Sequence, residues 1–302
     1  MVLSDNLRGA ALMMAAMIGF TLNDACMKAV TENLPVFQAI ALRGVLTLTA
    51  LAAIGLAMGQ LRLAVPGGDR LWIALRTLGE VGGTFTFLTA LKHMPLANLS
   101  AILQSLPLAV TLAGAVLLRE PVGWRRISAI LIGFVGVMMI VRPGTEGFDR
   151  WSVLGLVSVG FVVLRDLATR RISRAVPSVT VAFYAALSVA LGAVCVLPFG
   201  EVVPVSARHA GLIAGAAGFL IVGYLTVVMA MRVGDIAVVA PFRYTSLVAA
   251  ILLGWGVFGE FPDHWTLAGA LIVVATGIYT FYRERRLGRA ASAASTASLA
   301  AD

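Results

Sequence analysis

The apolar residues of this chain come in blocks of about 20, the length a helix needs to cross roughly 30 Å of hydrocarbon. Ten such blocks can be drawn, at 8–29, 35–58, 70–91, 96–118, 126–141, 152–172, 178–199, 209–231, 236–257 and 264–282. Backbone groups in lipid must be bonded within the spanning segment, so blocks of this length predict helices. A membrane β-barrel would alternate apolar and polar residues with period two, and these blocks do not. Composition agrees: 60% of residues are hydrophobic and 13% charged, against about 45–50% and about 25% in soluble domains. A water-soluble fold would have too little polar surface to cover itself.

Short connections with breakers separate the blocks: Asn33-Leu34-Pro35, Pro66-Gly67-Gly68, Arg142-Pro143-Gly144 and Glu260-Phe261-Pro262. The first block lacks a small-residue cleavage site and is followed by many more, so it reads as an anchor, not a signal peptide. The segment 287–302 is low-complexity and is expected to be a disordered cytoplasmic tail. The net charge of +8 does not point to nucleic acid, because the arginines lie between apolar blocks and not on one solvated face. With the N-terminus placed in the cytoplasm, 15 lysines and arginines fall inside and 5 outside, which favours both termini inside. Cys26 and Cys195 read as buried free thiols. The three histidines have no metal-ligand spacing, and no catalytic, phosphate-loop or zinc motif is present, so neither a metal, a cofactor nor an enzymatic constellation is expected.

An internal repeat follows the blocks. Leu118-Arg119-Glu120-Pro121 resembles Phe258-Gly259-Glu260-Phe261-Pro262, and Trp124 and Gly136 match Trp265 and Gly277 at an offset of 141. Asn23-Asp24 with Lys28 and Pro35 matches Arg165-Asp166 with Arg170 and Pro177 at an offset of 142. Residues 8–141 and 152–282 therefore read as two five-helix halves. An odd number of crossings per half makes them insert with opposite topology, an arrangement that puts a solute site near the midplane. The expected fold class is an all-α integral membrane protein of ten transmembrane helices in two inverted five-helix repeats.

Charge inside the apolar blocks marks the candidate site, since an ionised side chain at bilayer depth costs roughly 2.5–3.5 kcal/mol even on lenient scales. Arg43, Arg76 and Arg243 are such residues, with Glu80 one turn beyond Arg76. Each guanidinium offers a planar fork to a carboxylate, a phosphate or a carbonyl edge; its alternative role is to tie helices together. Arg243 sits in Pro241-Phe242-Arg243-Tyr244, where a proline frees backbone groups beside a cation and a ring, as suits a broken helix at a binding site. Glu80 reads either as a proton-titrating carboxylate or as a permanent partner of Arg76. Asn23, Thr84 and Gln104 either line the cavity or bond between helices. Asp24 with Lys28, and Asp166 with Arg170, are spaced i,i+4 and read as two gates or as interfacial end charges. Gly79, Gly82, Gly83, Gly215 and Gly218 read as close-packing positions.

These features resemble the drug/metabolite transporter superfamily, EamA type, over the chain up to about residue 285. Asn23-Asp24 with Lys28, Arg43, Arg76 and Ala240-Pro241-Phe242-Arg243-Tyr244 are similar to the branch containing bacterial S-adenosylmethionine and riboflavin uptake carriers. So are Asp166 with Arg170 and Gly259-Glu260-Phe261-Pro262-Asp263. Glu80 is not part of that pattern. The resemblance implies a multi-pass protein of the bacterial inner membrane, working as a monomer among lipids and moving a small-molecule solute by alternating access, with proton coupling left open. Three interior arginines against Glu80 lean towards uptake of a flavin-like or other neutral or anionic solute. The alternatives are export of amino acids or related metabolites, or S-adenosylmethionine carriage.

Overall fold

The computed structural model describes residues 5–59, 61, 64–117, 119, 123–143, 149–173, 175–233 and 236–299. Among these the regular structure is helical: α1 (Asp5–Thr31), α2 (Val36–Ala57), α3 (Arg70–His93), α4 (Leu96–Leu103), α5 (Leu106–Leu117) and α6 (Trp124–Val141). Then follow α7 (Arg150–Arg171), α8 (Ser178–Val196), α9 (Ala207–Val233), the single turn α10 (Ile236–Val239), α11 (Thr245–Phe258) and α12 (His264–Leu299). Nine helices among the described residues are long and apolar enough to cross a membrane. The block that falls short is α3: its 24 residues are sufficient in length, but Arg76 and Glu80 lower its hydropathy.

Helix ends follow local chemistry. Prolines precede α2, α4 and α8, each with φ near −60°, a conformation ready for helix entry but lacking the N–H a preceding turn would need. Asp149 accepts a bond from the Trp151 N–H and Asp263 from the Thr266 N–H, capping α7 and α12. Gly259 stops α11 at φ 67°, a left-handed turn that glycine takes without penalty. Arg142 ends α6 in the same region at φ 50°, and its guanidinium pairs with Asp263. Burial alone would raise the Asp263 carboxyl, but bonds from Arg142 and Thr266 outweigh it and hold the group below the usual carboxylate range. This tie is therefore intact above the unfolded value of about 4 and is lost only as pH falls through the lower folded value.

Two rods are broken. α4 gives way to α5 at Gln104-Ser105, ahead of Pro107, and the last rod but one runs as a 3-10 stretch over Ala240–Tyr244 around Pro241. The second break agrees with the sequence reading; the first goes beyond it. The breaks face each other: Gln104 Nε2 donates to Ser246 Oγ at 2.9 Å, and Ser246 Oγ donates to the freed Arg243 carbonyl at 3.0 Å. The final helix continues through the alanine-rich segment to Leu299, where sequence suggests disorder from 287. Alanine is the best helix former, which accounts for the continuation.

Packing repeats itself. The dominant neighbours are α1 with α9, α3 with α7, α2 with α8 and α6 with α12. Exchange α1 for α7, α2 for α8, α3 for α9 and α6 for α12, and the same pairs return. Small residues set the crossings. A Cβ on Gly79 would come within 2.7 Å of the Phe161 carbonyl and the Arg165 N–H of α7; one on Gly136 would come equally close to the Gly269 carbonyl of α12. Gly82 and Gly83 also face α7; Gly215 meets Cys26 of α1 at ordinary contact distance, whereas Gly218 has no neighbour within reach, so the packing role expected for Gly218 does not hold. Cys195 is exposed, not buried, and Cys26 is half-buried. Gly79→Ala is expected to destabilise the fold by about 1–3 kcal/mol through overpacking against backbone, read as a lower melting temperature in detergent. Unchanged melting would mean that α3 and α7 separate at no cost.

The bundle is sealed at one end. Of the twelve largest fully buried side chains, nine (Met27, Val30, Leu34, Ile40, Leu88, Leu91, Leu96, Leu99, Ile102) lie towards the end where Lys28 sits. The opposite half is looser.

Candidate functional site

Charged side chains continue through the middle of this bundle. On α1 and α2, Arg43 Nη1 donates to Asn23 Oδ1 at 3.0 Å, and Asn23 Nδ2 donates to Asp24 Oδ1 at 2.8 Å. Arg43 is 7% exposed, so its charge is answered by Asp24 through the amide between them. On α3, Arg76 stands 3.6 Å from Glu80. Arg165 of α7 reaches the same carboxylate at 3.7 Å, and the Tyr224 hydroxyl of α9 donates to it at 3.4 Å. Arg165 Nε also donates to Asp166 Oδ1 at 2.9 Å. The close approach of α3 and α7 over Gly79 is what brings Arg165 beside Glu80. Such interior charges persist in lipid only when each has a partner or a wet cavity. Here Asp24 has Arg43, Glu80 has Arg76 and Arg165, and Asp166 has Arg165. Two nitrogens of Arg76, Nε and Nη1, are buried without a hydrogen bond.

Arg243 differs from the other interior arginines. Among the described residues its side chain makes no hydrogen bond and no ion pair; Asp166 is the opposite charge that acts on it most. It lines a cleft of about 310 Å³ together with Leu106, Pro107, Asp166, Arg170 and Phe281. The cleft lies in the looser half, away from the sealed end. A larger recess of about 370 Å³ beside Ala64, Arg70 and Tyr184 touches none of the interior charges and is a surface fold between α3 and α8. Among the described residues no three His, Cys, Asp or Glu side chains gather as a metal site.

The structure thus sorts the sequence candidates. Arg43, Asn23, Asp24, Arg76 and Glu80 belong to the interior network; Arg243, Asp166 and Arg170 face the cleft. Gln104 bonds between the two broken rods. Tyr244 does not line the cleft: it is 7% exposed, its hydroxyl lacks a hydrogen bond, and it packs against Gly277. Lys28 does not serve Asp24. It reaches Glu260 at 2.9 Å and the Met94 carbonyl at 2.8 Å, over the Phe258 ring. A lysine near a helix end extends past its own helix, and the carboxylate at that end belongs to the chain after α11. Asp166 likewise takes its closest bond from the neighbouring Arg165, although Arg170 shares its cleft.

Three participants, Arg165, Tyr224 and Glu260, are absent from the sequence candidates. Arg165 carries a signal in the sequence, since the repeat matches it to Asn23. Glu260 carries one in the closing motif that contains it. Tyr224 carries none.

Comparison with known proteins bears on what such a site does. The model of the EamA-like transporter family matches residues 7–142 and again 149–282. The chain is 27% identical to the S-adenosylmethionine uptake transporter of Rickettsia conorii over 70% of its own length and 72% of the relative's. It is 29% identical to the riboflavin transporter of Vibrio cholerae over 72% and 74%. With the pseudopaline exporter of Pseudomonas aeruginosa the identity is 26% over 92% and 97%. A protein of known crystal structure aligns over 92% of this chain and 98% of that one, at 25% identity and TM-score 0.64. Its relatives are transporters, not enzymes, and this chain is a multi-pass membrane protein belonging to the EamA-like transporter family.

Proposed function

We propose that the protein is a secondary carrier of the bacterial inner membrane that takes up a small metabolite by alternating access, with an anionic group of the solute held by Arg243. The observation that carries this reading is the charge pairing of the interior. Each interior carboxylate already has an arginine, and Arg243 is left facing a cleft. Arg243 is half-buried and has no ion pair among the described residues, so its charge stands open to a negative group that arrives and leaves.

Ten crossings, with α3 as the tenth, support the same reading. Contacts between helix ends join only ends that ten alternating crossings would put on one side. Lys28 with Glu260, Gln38 with Val203 and Arg142 with Asp263 meet at one end; Asp69 with Ser173 and Trp72 with Arg171 meet at the other. The 24 residues of α3 span about 36 Å at 1.5 Å per residue. Five crossings per half then make the two halves an inverted pair, and the charge bias puts both termini in the cytoplasm. The Lys28 end is then outside and closed, and the cleft opens inward.

On this reading Lys28, Glu260 and the Met94 carbonyl form the outer clasp. Lys28→Cys with Glu260→Cys, joined by a short thiol cross-linker, is expected to stop uptake, and reduction of a cleavable linker restores it. Undiminished uptake by the linked protein would show that this end never opens.

Export is a second reading, favoured by the nearly full-length similarity to the pseudopaline exporter. The function is tested by loading labelled S-adenosylmethionine, riboflavin and amino acids onto proteoliposomes and onto whole cells. Accumulation in cells expressing the protein supports uptake; faster loss from preloaded cells supports export. Neither movement, in either system, would remove the carrier reading.

A further inference from the structure

The recess of about 370 Å³ lies between α3 of the first half and α8 of the second. Ala64, Val65, Arg70, Ile73, Ala74 and Tyr184 wall it. It shares no residue with the cleft of Arg243. Its floor is a small apolar cluster separate from the main core, in which Ile73, Val176 and Val181 are buried and Val65, Ile172 and Tyr184 pack against them.

One charge stands at its rim. Arg70 is the first residue of α3 and is exposed. Among the described residues its side chain makes no ion pair and no hydrogen bond. The adjacent carboxylate does not answer it: Asp69 is 6% exposed and accepts from both the Ser173 N–H and the Ser173 hydroxyl. Ile73 and Ala74 lie one turn further along, about 6 Å deeper at 1.5 Å per residue. Beyond them α3 exposes Leu78, and α8 exposes Leu191 on the face that carries Tyr184. Polarity therefore falls with depth: a cation, then an apolar wall with one amphipathic ring, then leucines open to the bilayer. A phospholipid carries its phosphate, glycerol and acyl chains in that order.

We propose that this recess binds an anionic phospholipid, with the headgroup phosphate on Arg70 and the start of one acyl chain over Ile73 and Ala74. Basic pockets between membrane helices on the cytoplasmic side suit such headgroups, and the charge bias places this end there. A soluble phosphate compound has the charge but no chain to lay on the apolar wall, so the ligand comes from the bilayer. The lipid bridges the two halves of the bundle, because α3 and α8 belong to different ones. Its binding does not depend on the carrier reading, since it needs no solute to move.

The test titrates the purified full-length chain, in a neutral detergent, with fluorescent phosphatidylglycerol. Phosphatidylcholine and inorganic phosphate form separate competition arms. Phosphatidylglycerol is expected to bind saturably. Phosphatidylcholine, whose choline carries a cation back towards Arg70, is expected to compete poorly, and inorganic phosphate not at all. Arg70→Gln is expected to weaken binding about tenfold, the loss of one charge-assisted bond. Its melting without lipid should stay that of the parent, because no ion pair is broken. Ala74→Trp fills the recess from an exposed position and is expected to abolish binding with every charge intact. Arg125→Gln removes an exposed arginine of α6 that lies over the Trp124 ring, and is expected to bind like the parent. Equal competition by the two lipids, or displacement by inorganic phosphate, overturns the proposal. So does an equal loss in Arg70→Gln and Arg125→Gln, which is the mark of a general surface charge. Parental binding by Arg70→Gln overturns it as well, and that variant decides the matter if Ala74→Trp folds poorly.

Discussion

Arg243→Ala is expected to lower solute uptake by roughly 30- to 150-fold while leaving the melting temperature within a few degrees of the parent. The magnitude follows from losing one charge-assisted contact to the solute, about 2–3 kcal/mol, at about 1.4 kcal/mol per tenfold. The small change in stability follows from pairing. Truncating Arg43 or Arg165 strands Asp24 or Asp166 inside the bundle, whereas Arg243 has no ion pair to break among the described residues. The two readouts together distinguish a binding residue from an internal tie. Arg243→Lys keeps the charge but loses the fork, and should fall between parent and alanine. Transport equal to the parent in Arg243→Ala would remove this residue from the mechanism. A collapse of melting with transport lost would make it a structural tie instead.

Much of the fold is legible in the sequence because lipid imposes it locally. A 20-residue apolar block has one viable conformation, and a repeat offset of 142 survives in residues such as Asp24 and Asp166. The packing pattern answers to the same correspondence. What sequence does not place is the reach of long side chains. The i,i+4 rule holds for Arg76 and Glu80, which stay mid-helix, but not for Lys28, which sits at a helix end and goes to Glu260. By sequence, Arg165 counts among the charges of a cytoplasmic end. The block drawn at 152–172 contains it, but only the close approach of α3 and α7 over Gly79 places it against Glu80. Tyr224 shows why a lone polar atom in an apolar rod is silent: its role depends on which face α9 turns to α3. The break at Gln104-Ser105 is hidden for a related reason. Pro107 is visible, but Ser246 on the other broken rod becomes a partner only when the two halves are brought together.

Glu80 is the second place where a single change should have a large effect. It stands 11% exposed between Arg76 and Arg165, with the Tyr224 hydroxyl above it. Glu80→Gln removes the one carboxylate shared by two arginines and leaves both cations in a weakly polar interior. Breaking a buried pair in this way costs about 3–5 kcal/mol. For a chain of this size that is a fall in melting temperature on the order of 6–15 °C. The double variant Glu80→Gln with Arg165→Gln should lose less than the sum of the two single variants, because the second change removes a charge the first had stranded. Such non-additivity would identify Glu80 as a fixed counter-ion holding α3, α7 and α9 in register beneath the cleft. The rival role, a carboxylate that gains and loses a proton during each cycle, predicts the opposite pattern. In that case Glu80→Gln melts like the parent, exchanges solute across the membrane normally, and fails only to accumulate it against a gradient when a pH difference is applied.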